Sequence, residues 1–184
     1  MFDFAVTSHI VEVASAIMHA DFASVQRYHP DRHALQLVNY RGFSAHCAEQ
    51  LTWIYPYSGT SCAVSLSTGV RTIIPDIEHS PHDLARDVLR ACGIRAMYTT
   101  PLRDTDGTLV GMCSTHWRTP HLPDDNAIQL FDIWAKQTAD FLVNNTELCD
   151  LLREALTQIA RNRRLTCDFA ELMRLLNGPF TQVH

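Results

Sequence analysis

Apolar residues recur at helical spacing over positions 4–19, where Ile10, Val11, Val13, Ala14, Ile17 and Met18 would form one stripe. The pattern then shortens. Residues 23–29 and 34–40 flank Pro30-Asp31 and predict an antiparallel hairpin closed by Gly42. Positions 44–70 read as an irregular excursion: a short helix over 44–51, a strand over 53–57, and a second short helix after Gly59, capped by Thr60 or Ser61. Residues 72–74 form a brief strand that Pro75 ends. A helix is expected from Ser80, with Pro81 in its first turn, Asp83 completing a capping box, Leu84, Val88 and Leu89 facing inward, and Gly93 as its stop. Residues 95–102 and 108–117 make a second hairpin, turned through Asp104-Thr-Asp-Gly107. Pro123 opens a strongly amphipathic helix, with Asp124 and Asp125 placed favourably against its dipole and Phe131, Ala135, Thr138 and Leu142 in its stripe. The stripe restarts beyond Asn144-Asn145, from Leu148 to Ala160. A last short helix carries Phe169, Leu172, Met173 and Leu176 before Asn177-Gly-Pro179.

Antiparallel strands with helices gathered on one face predict an α+β sandwich. The expected organisation is one domain over residues 4–143 and a helical extension over 144–184. With 184 residues, 46% of them hydrophobic, the chain suffices for one good core.

Charge removes some function classes. The formal net charge is -5, and a general nucleic-acid binder would carry a basic surface instead. The charge is uneven: beyond position 150 five arginines face three acids, leaving an acidic body and a mildly basic helical tail. The cluster Arg161-Asn-Arg-Arg164 sits at a predicted helix end, where arginines are ordinary dipole partners, so no nucleic-acid role is read into it. Asp3 and Glu12 break the pattern of a secretory signal, and no run approaches the roughly 20 apolar residues that span a bilayer. The expected compartment is therefore the cytoplasm. The six cysteines (Cys47, Cys62, Cys92, Cys113, Cys149 and Cys167) are scattered without a Cys-x-x-Cys pair, and are expected to be reduced and buried.

Segments 20–26, 35–43, 59–62, 72–77, 93–102 and 106–116 resemble, in matching order, the GAF domain family, notably the GAF domains found beside bacterial histidine kinases. Gly59-Thr-Ser-Cys62 and Asp106-Gly-Thr-Leu-Val-Gly-Met112 are among the stretches that carry the likeness, which covers residues 8–142. The resemblance implies a central antiparallel sheet with dimerising helices on one face and a ligand pocket on the other. It implies a stand-alone sensory or regulatory domain of bacterial signal transduction, a homodimer rather than an enzyme, that binds a small molecule or a signalling protein. It names no cofactor, because family members bind cyclic nucleotides, bilins, haem, small metabolites or nothing. The Asn-Lys-x-Phe-Asp-Glu signature of the cyclic-nucleotide binders has no counterpart here, and His46-Cys47 reverses the Cys-His pair of the bilin binders in another segment.

If a ligand binds, the residues singled out by location and chemistry are Tyr55, Cys62, Asp76, Tyr98, Thr100 and His116. Trp53, Tyr55 and Tyr57 alternate and would share one strand face, fit to stack on a flat ligand or to pack in a core. Cys62, near a helix N-terminus, is a candidate low-pKa thiol. With Cys92 and Cys113 it would serve a rival reading, a thiol-dependent reductase like the GAF branch that reduces free methionine sulfoxide. A third reading is an interaction and dimerisation module with a degenerate pocket. Asp76, His79 and His82 have the chemistry of metal ligands, but a solvated loop whose acids cap a helix is the simpler account, and no metal is assigned. Residues 75–92, punctuated by Pro75, Pro81 and Gly93, are expected to be the most mobile wall.

Overall fold

The runs on either side of Pro30-Asp31 pair as two eight-residue antiparallel strands in the computed structural model, β1 (Phe22–His29) and β2 (Ala34–Arg41). The structure describes residues 4–82 and 84–162, with the backbone alone for 145–162. The second predicted hairpin is β5 (Ala96–Arg103) and β6 (Leu109–Trp117). Two short strands, β3 (Trp53–Ile54) and β4 (Thr72–Ile74), complete a six-stranded antiparallel sheet in the order β3-β2-β1-β6-β5-β4. The two hairpins meet at the centre, where Phe22 lies opposite His116 and Val25 opposite Cys113.

Helices cover both faces. On one, α1 (Phe4–Met18) buries Ile10, Val11, Ala14 and Met18, and α5 (Asp125–Asn162) buries Phe131, Ala135, Ala139 and Leu142. Both pack on Ala23, Val25, Ala96, Tyr98, Cys113 and Trp117 from alternate positions of the central strands. Asn39 in β2 donates to the hydroxyls of Thr7 and Ser8 at 3.1 and 3.0 Å, and Trp117 Nε1 donates to the His19 carbonyl at 3.2 Å, so α1 is fixed at both ends.

The other face carries the irregular segment. Here lie α2 (Ala45–Gln50), α3 (Ser61–Thr68), a 3-10 turn (Ile77–His79) and α4 (Arg86–Ala91), over two small apolar clusters. Two glycines let the chain enter this layer. Gly42 has φ +85°, and a Cβ there would collide with the Asp21 carbonyl. Gly59 has φ +62°, and a Cβ would sit 2.7 Å from the amide nitrogen of Ala85, which donates to the Gly59 carbonyl.

Several local expectations are corrected. Strand β3 ends at Ile54, because a turn from Tyr55 to Ser58 follows at once: the Ser58 amide donates to the Tyr55 carbonyl and the Tyr55 amide to the Ser58 hydroxyl. Tyr55 and Tyr57 therefore stack on each other, 5.4 Å apart, and Tyr57 is exposed. The helix expected from Ser80 begins only after Ala85, without a side-chain cap; the Ser80 hydroxyl instead accepts from the His82 amide. Asp83, the other half of the expected capping box, lies outside the described residues. Helix α5 runs unbroken through Asn144-Asn145, since an asparagine costs a helix only about 0.7 kcal/mol. The helix expected over 169–176 falls outside the described residues. The chain divides into two units, Met1–Thr146, which holds the sheet and its layers, and Glu147–His184.

Candidate functional site

The face under α2, α3 and α4 is organised in rows that run across the strands. One row is polar: Thr72, Thr99, Ser114 and Ser24 stand opposite one another on β4, β5, β6 and β1. All four are buried, so each hydroxyl needs a partner inside the protein. Helix α3 supplies partners for Thr72, Thr99 and Ser114. Thr99 is hydrogen-bonded to Ser61 at 2.7 Å and to Ser114 at 2.8 Å, and Cys62 Sγ lies 3.0 Å from Ser114 Oγ. Ser65 donates to Thr72 at 2.8 Å, and Gln26 donates to Ser24 at 2.9 Å. The chain builds α3 for this duty: Thr60 caps its first turn by accepting from the Ala63 amide, and Gly69 ends it in the left-handed region.

The neighbouring row is apolar except for one ring. Ile74, Met97, His116 and Phe22 lie side by side on β4, β5, β6 and β1. Phe43, on the way into α2, stacks on Phe22 at 5.0 Å and meets the His116 ring edge-on at 5.4 Å. His116 is 4% exposed, and burial pushes its pKa down to about 3, so the imidazole is neutral near pH 7. Its Nδ1 has no hydrogen-bond partner among the described residues, nor does the Oε1 of Gln26. An unpaired buried polar atom costs about 1–3 kcal/mol unless a water or a ligand meets it.

Two ties hold the cover. Asp76 caps the 3-10 turn by accepting from the Glu78 amide, and receives Arg95 Nε at 2.6 Å and Nη2 at 3.0 Å as well as His79 at 2.9 Å. Arg90 pairs with Glu78 and Asp87, and Arg86 donates to the carbonyls of Ile77 and Ser80. The segment 75–92, expected to be the most mobile wall, is laced to Arg95 just ahead of β5 and to itself. The second tie is covalent: Cys47 in α2 and Cys92 at the end of α4 form a disulfide. This corrects the expectation that every cysteine is reduced. Two residues 45 apart with no shared motif give no sequence signal of pairing, and only the fold brings them together.

The six residues singled out from sequence do not form one site. Cys62 and His116 face the α2–α4 layer. Tyr98 and Thr100 lie on the opposite face: the Tyr98 ring packs edge-on to Phe131 of α5 and its hydroxyl accepts from Arg71, while Thr100 pairs with Cys113. Asp76 is occupied by Arg95, and Tyr55 sits in the turn after β3. Cys62 is not an activated thiol, because burial outweighs its hydroxyl partners and pushes its pKa up; burial raises Cys113 as well. Sequence reasoning missed Ser61, Thr99, Ser114 and Phe43. A sheet covered on both faces loses the in-and-out alternation that would have separated Thr99 from Tyr98 and Thr100.

This arrangement has many structural relatives of low sequence identity. A domain described as part of a two-component sensor histidine kinase of Sinorhizobium meliloti 1021 superposes with a TM-score of 0.65 at 19% identity, covering 81% of this chain and 95% of its own. The photoproduct state of GAF3 from Slr1393 of Synechocystis sp. PCC6803 gives 0.64 at 16%, covering 80% and 97%. Free methionine-R-sulfoxide reductase from Neisseria meningitidis gives 0.58 at 16%, covering 73% of each chain. No match was found among curated proteins. At such identities these structures speak for the fold, and the sequence pattern of the GAF domain matches residues 5–141 independently. The chain belongs to the GAF domain family.

Proposed function

We propose that this protein is a sensory or regulatory GAF domain whose ligand, a small molecule with one hydrogen-bonding group on a largely apolar frame, binds at His116 under the α2–α4 layer. The observation that carries this reading is the buried, neutral imidazole with an unpaired Nδ1, lying against the Phe43 ring. A ligand there displaces Phe43 or α2, and binding that favours one arrangement of the cover shifts the population of states a partner reads. Native mass spectrometry and an absorption spectrum of freshly purified protein test it. An added mass lost in His116→Leu supports the reading; a bare mass and no added absorption with every fraction tested count against it.

The same reading takes the protein to be a cytoplasmic bacterial homodimer that needs neither nucleic acid nor a membrane. Among the described residues no helix is long and apolar enough to cross a bilayer. The dimer is supported by exposed apolar residues on both helices: Leu130 and Ile133 of α5 are more than half exposed, and Phe4 of α1 is 77% exposed. A cavity of about 580 Å³ opens between these helices, lined by Val6, Ile10, Trp134 and Phe141 among others. Patches of this kind on a small domain mark contact surfaces.

The reductase reading has one observation in its favour, a disulfide on the ligand-side layer of a fold shared with free methionine-R-sulfoxide reductases. Against it, the two free thiols among the described residues, Cys62 and Cys113, face opposite sides of the sheet, are buried, and are raised in pKa. A coupled assay with free methionine sulfoxide and a dithiol reductant decides the matter; turnover above the rate without protein would favour the reductase.

A further inference from the structure

The disulfide closes a loop that contains every element of the cover. Between Cys47 and Cys92 lie the rest of α2, then β3, α3, β4, the 3-10 turn and all of α4. Within that loop the parts are held unequally. Helix α3 has its hydroxyl network, β3 and β4 have their ladders, and the 3-10 turn and α4 have Asp76–Arg95 and Glu78–Arg90. Helix α2 has none of these. It is six residues long and buries Cys47 and Ala48, with Leu51 buried at its C-cap and the Thr52 carbonyl beyond it accepting from the Leu37 amide of β2. A helix of that length has no stability of its own in water. Its C-terminal end is tied to β2 through Thr52 and β3, and its N-terminal half is tied to α4 by the disulfide; Phe43, four residues ahead of Cys47, lies on His116 and Phe22.

We propose that the Cys47–Cys92 disulfide is a redox-controlled clasp that keeps α2 and Phe43 closed over His116 and releases them when a dithiol reductant opens it. The inference rests on reading that face as the ligand site, but its mechanics do not need a ligand. Cys92 is half-buried and Cys47 fully buried, so the reductant's thiolate attacks the Cys92 sulfur. The S–S bond breaks, the Cys47 sulfur leaves with the bonding electrons and takes a proton, and a mixed disulfide remains on Cys92. The second thiol of the reductant displaces Cys92 as a thiol and leaves as a cyclic disulfide, so two electrons and two protons pass to the protein. An oxidised dithiol reverses the sequence. Disulfides in reducing compartments are generally of this transient, sensing kind, which reconciles the bond with a cytoplasmic protein.

The test compares the full chain equilibrated with oxidised glutathione against the same chain in dithiothreitol. Alkylation with peptide mapping should find Cys47 and Cys92 blocked in the first sample and free in the second. Amide hydrogen exchange over residues 43–51 should quicken about tenfold or more on reduction, while β1 and β6 keep their protection. His116 should resist diethyl pyrocarbonate when oxidised and react when reduced, and Cys47→Ser should match the reduced wild type. Free Cys47 and Cys92 under oxidising conditions would overturn the clasp. So would identical exchange and identical His116 reactivity in the two states. Native mass spectrometry of the same samples reports on the ligand separately: opening without any bound mass in either state retains the clasp and removes the ligand reading, whereas a bound mass without opening does the reverse.

Discussion

Arg95 grips Asp76 at both carboxylate oxygens, 19 positions further along the chain and just ahead of β5. A bidentate pair fixes angle as well as distance, so it sets how the 3-10 turn leaves the sheet. The guanidinium also holds the Asp76 carboxyl well below the usual carboxylate range.

That depression gives acid stability a direction. An aspartate in an unfolded chain titrates near about 3.9, so the contribution of Asp76 is complete above that value and fades as pH falls towards its lower folded value. Melting temperatures measured from pH 6 to 2.5 should fall more steeply for wild type than for Asp76→Asn below about pH 4. Parallel curves would remove the pair from the account.

His116 acts in a higher window. Its folded pKa is about 3, whereas an unfolded histidine titrates near about 6.5, so the unfolded chain takes up the proton first. Stability tied to His116 is therefore full above pH 6.5 and lost progressively as pH falls towards 3. His116→Leu should flatten the melting-temperature profile between about pH 6.5 and 4. A slope equal to that of wild type would mean that the ring is solvated.

Ser114 is the hub of the polar row, bonded to both Thr99 and Cys62. Ser114→Ala should cost about 1–3 kcal/mol in urea unfolding, because it strands buried partners. Cys62 and Cys113 should resist a thiol reagent in the native protein and react fully in denaturant. Rapid native labelling of either would contradict their burial.

The dimer is tested by size. The full chain should scatter light as a dimer, while a chain ending near Asn145, or one carrying Ile133→Glu, should shift towards monomer. A full chain that stays monomeric at high micromolar concentration would remove the dimer.

The sequence made the architecture legible wherever strong local rules agreed: the two hairpins, α1 and the start of α5 all follow from period and turn chemistry. It was far less informative about the site. Tyr98 and Thr99 are both fully buried, one under α5 and the other under α3, so side-chain character says nothing about which face each takes. The Cys47–Cys92 bond depends on the placement of two short helices, which no local pattern encodes. Phe43 lies just beyond the predicted hairpin, and its role as the cover of His116 emerges only once Gly42 has turned the chain.

The pairing of Phe22 with His116 at the middle of the sheet bears on how the protein is made. The first and last strands are neighbours, so the central ladder joins residues from 84 (Arg27–Gly111) to 94 (Phe22–His116) positions apart. During synthesis the two hairpins emerge separately, each with an open edge, until β6 has left the ribosome. Non-local pairing of this kind is slow, since loop-closure entropy is spent before any contact rewards it. Over that interval β1 is the edge most in need of shielding from other chains.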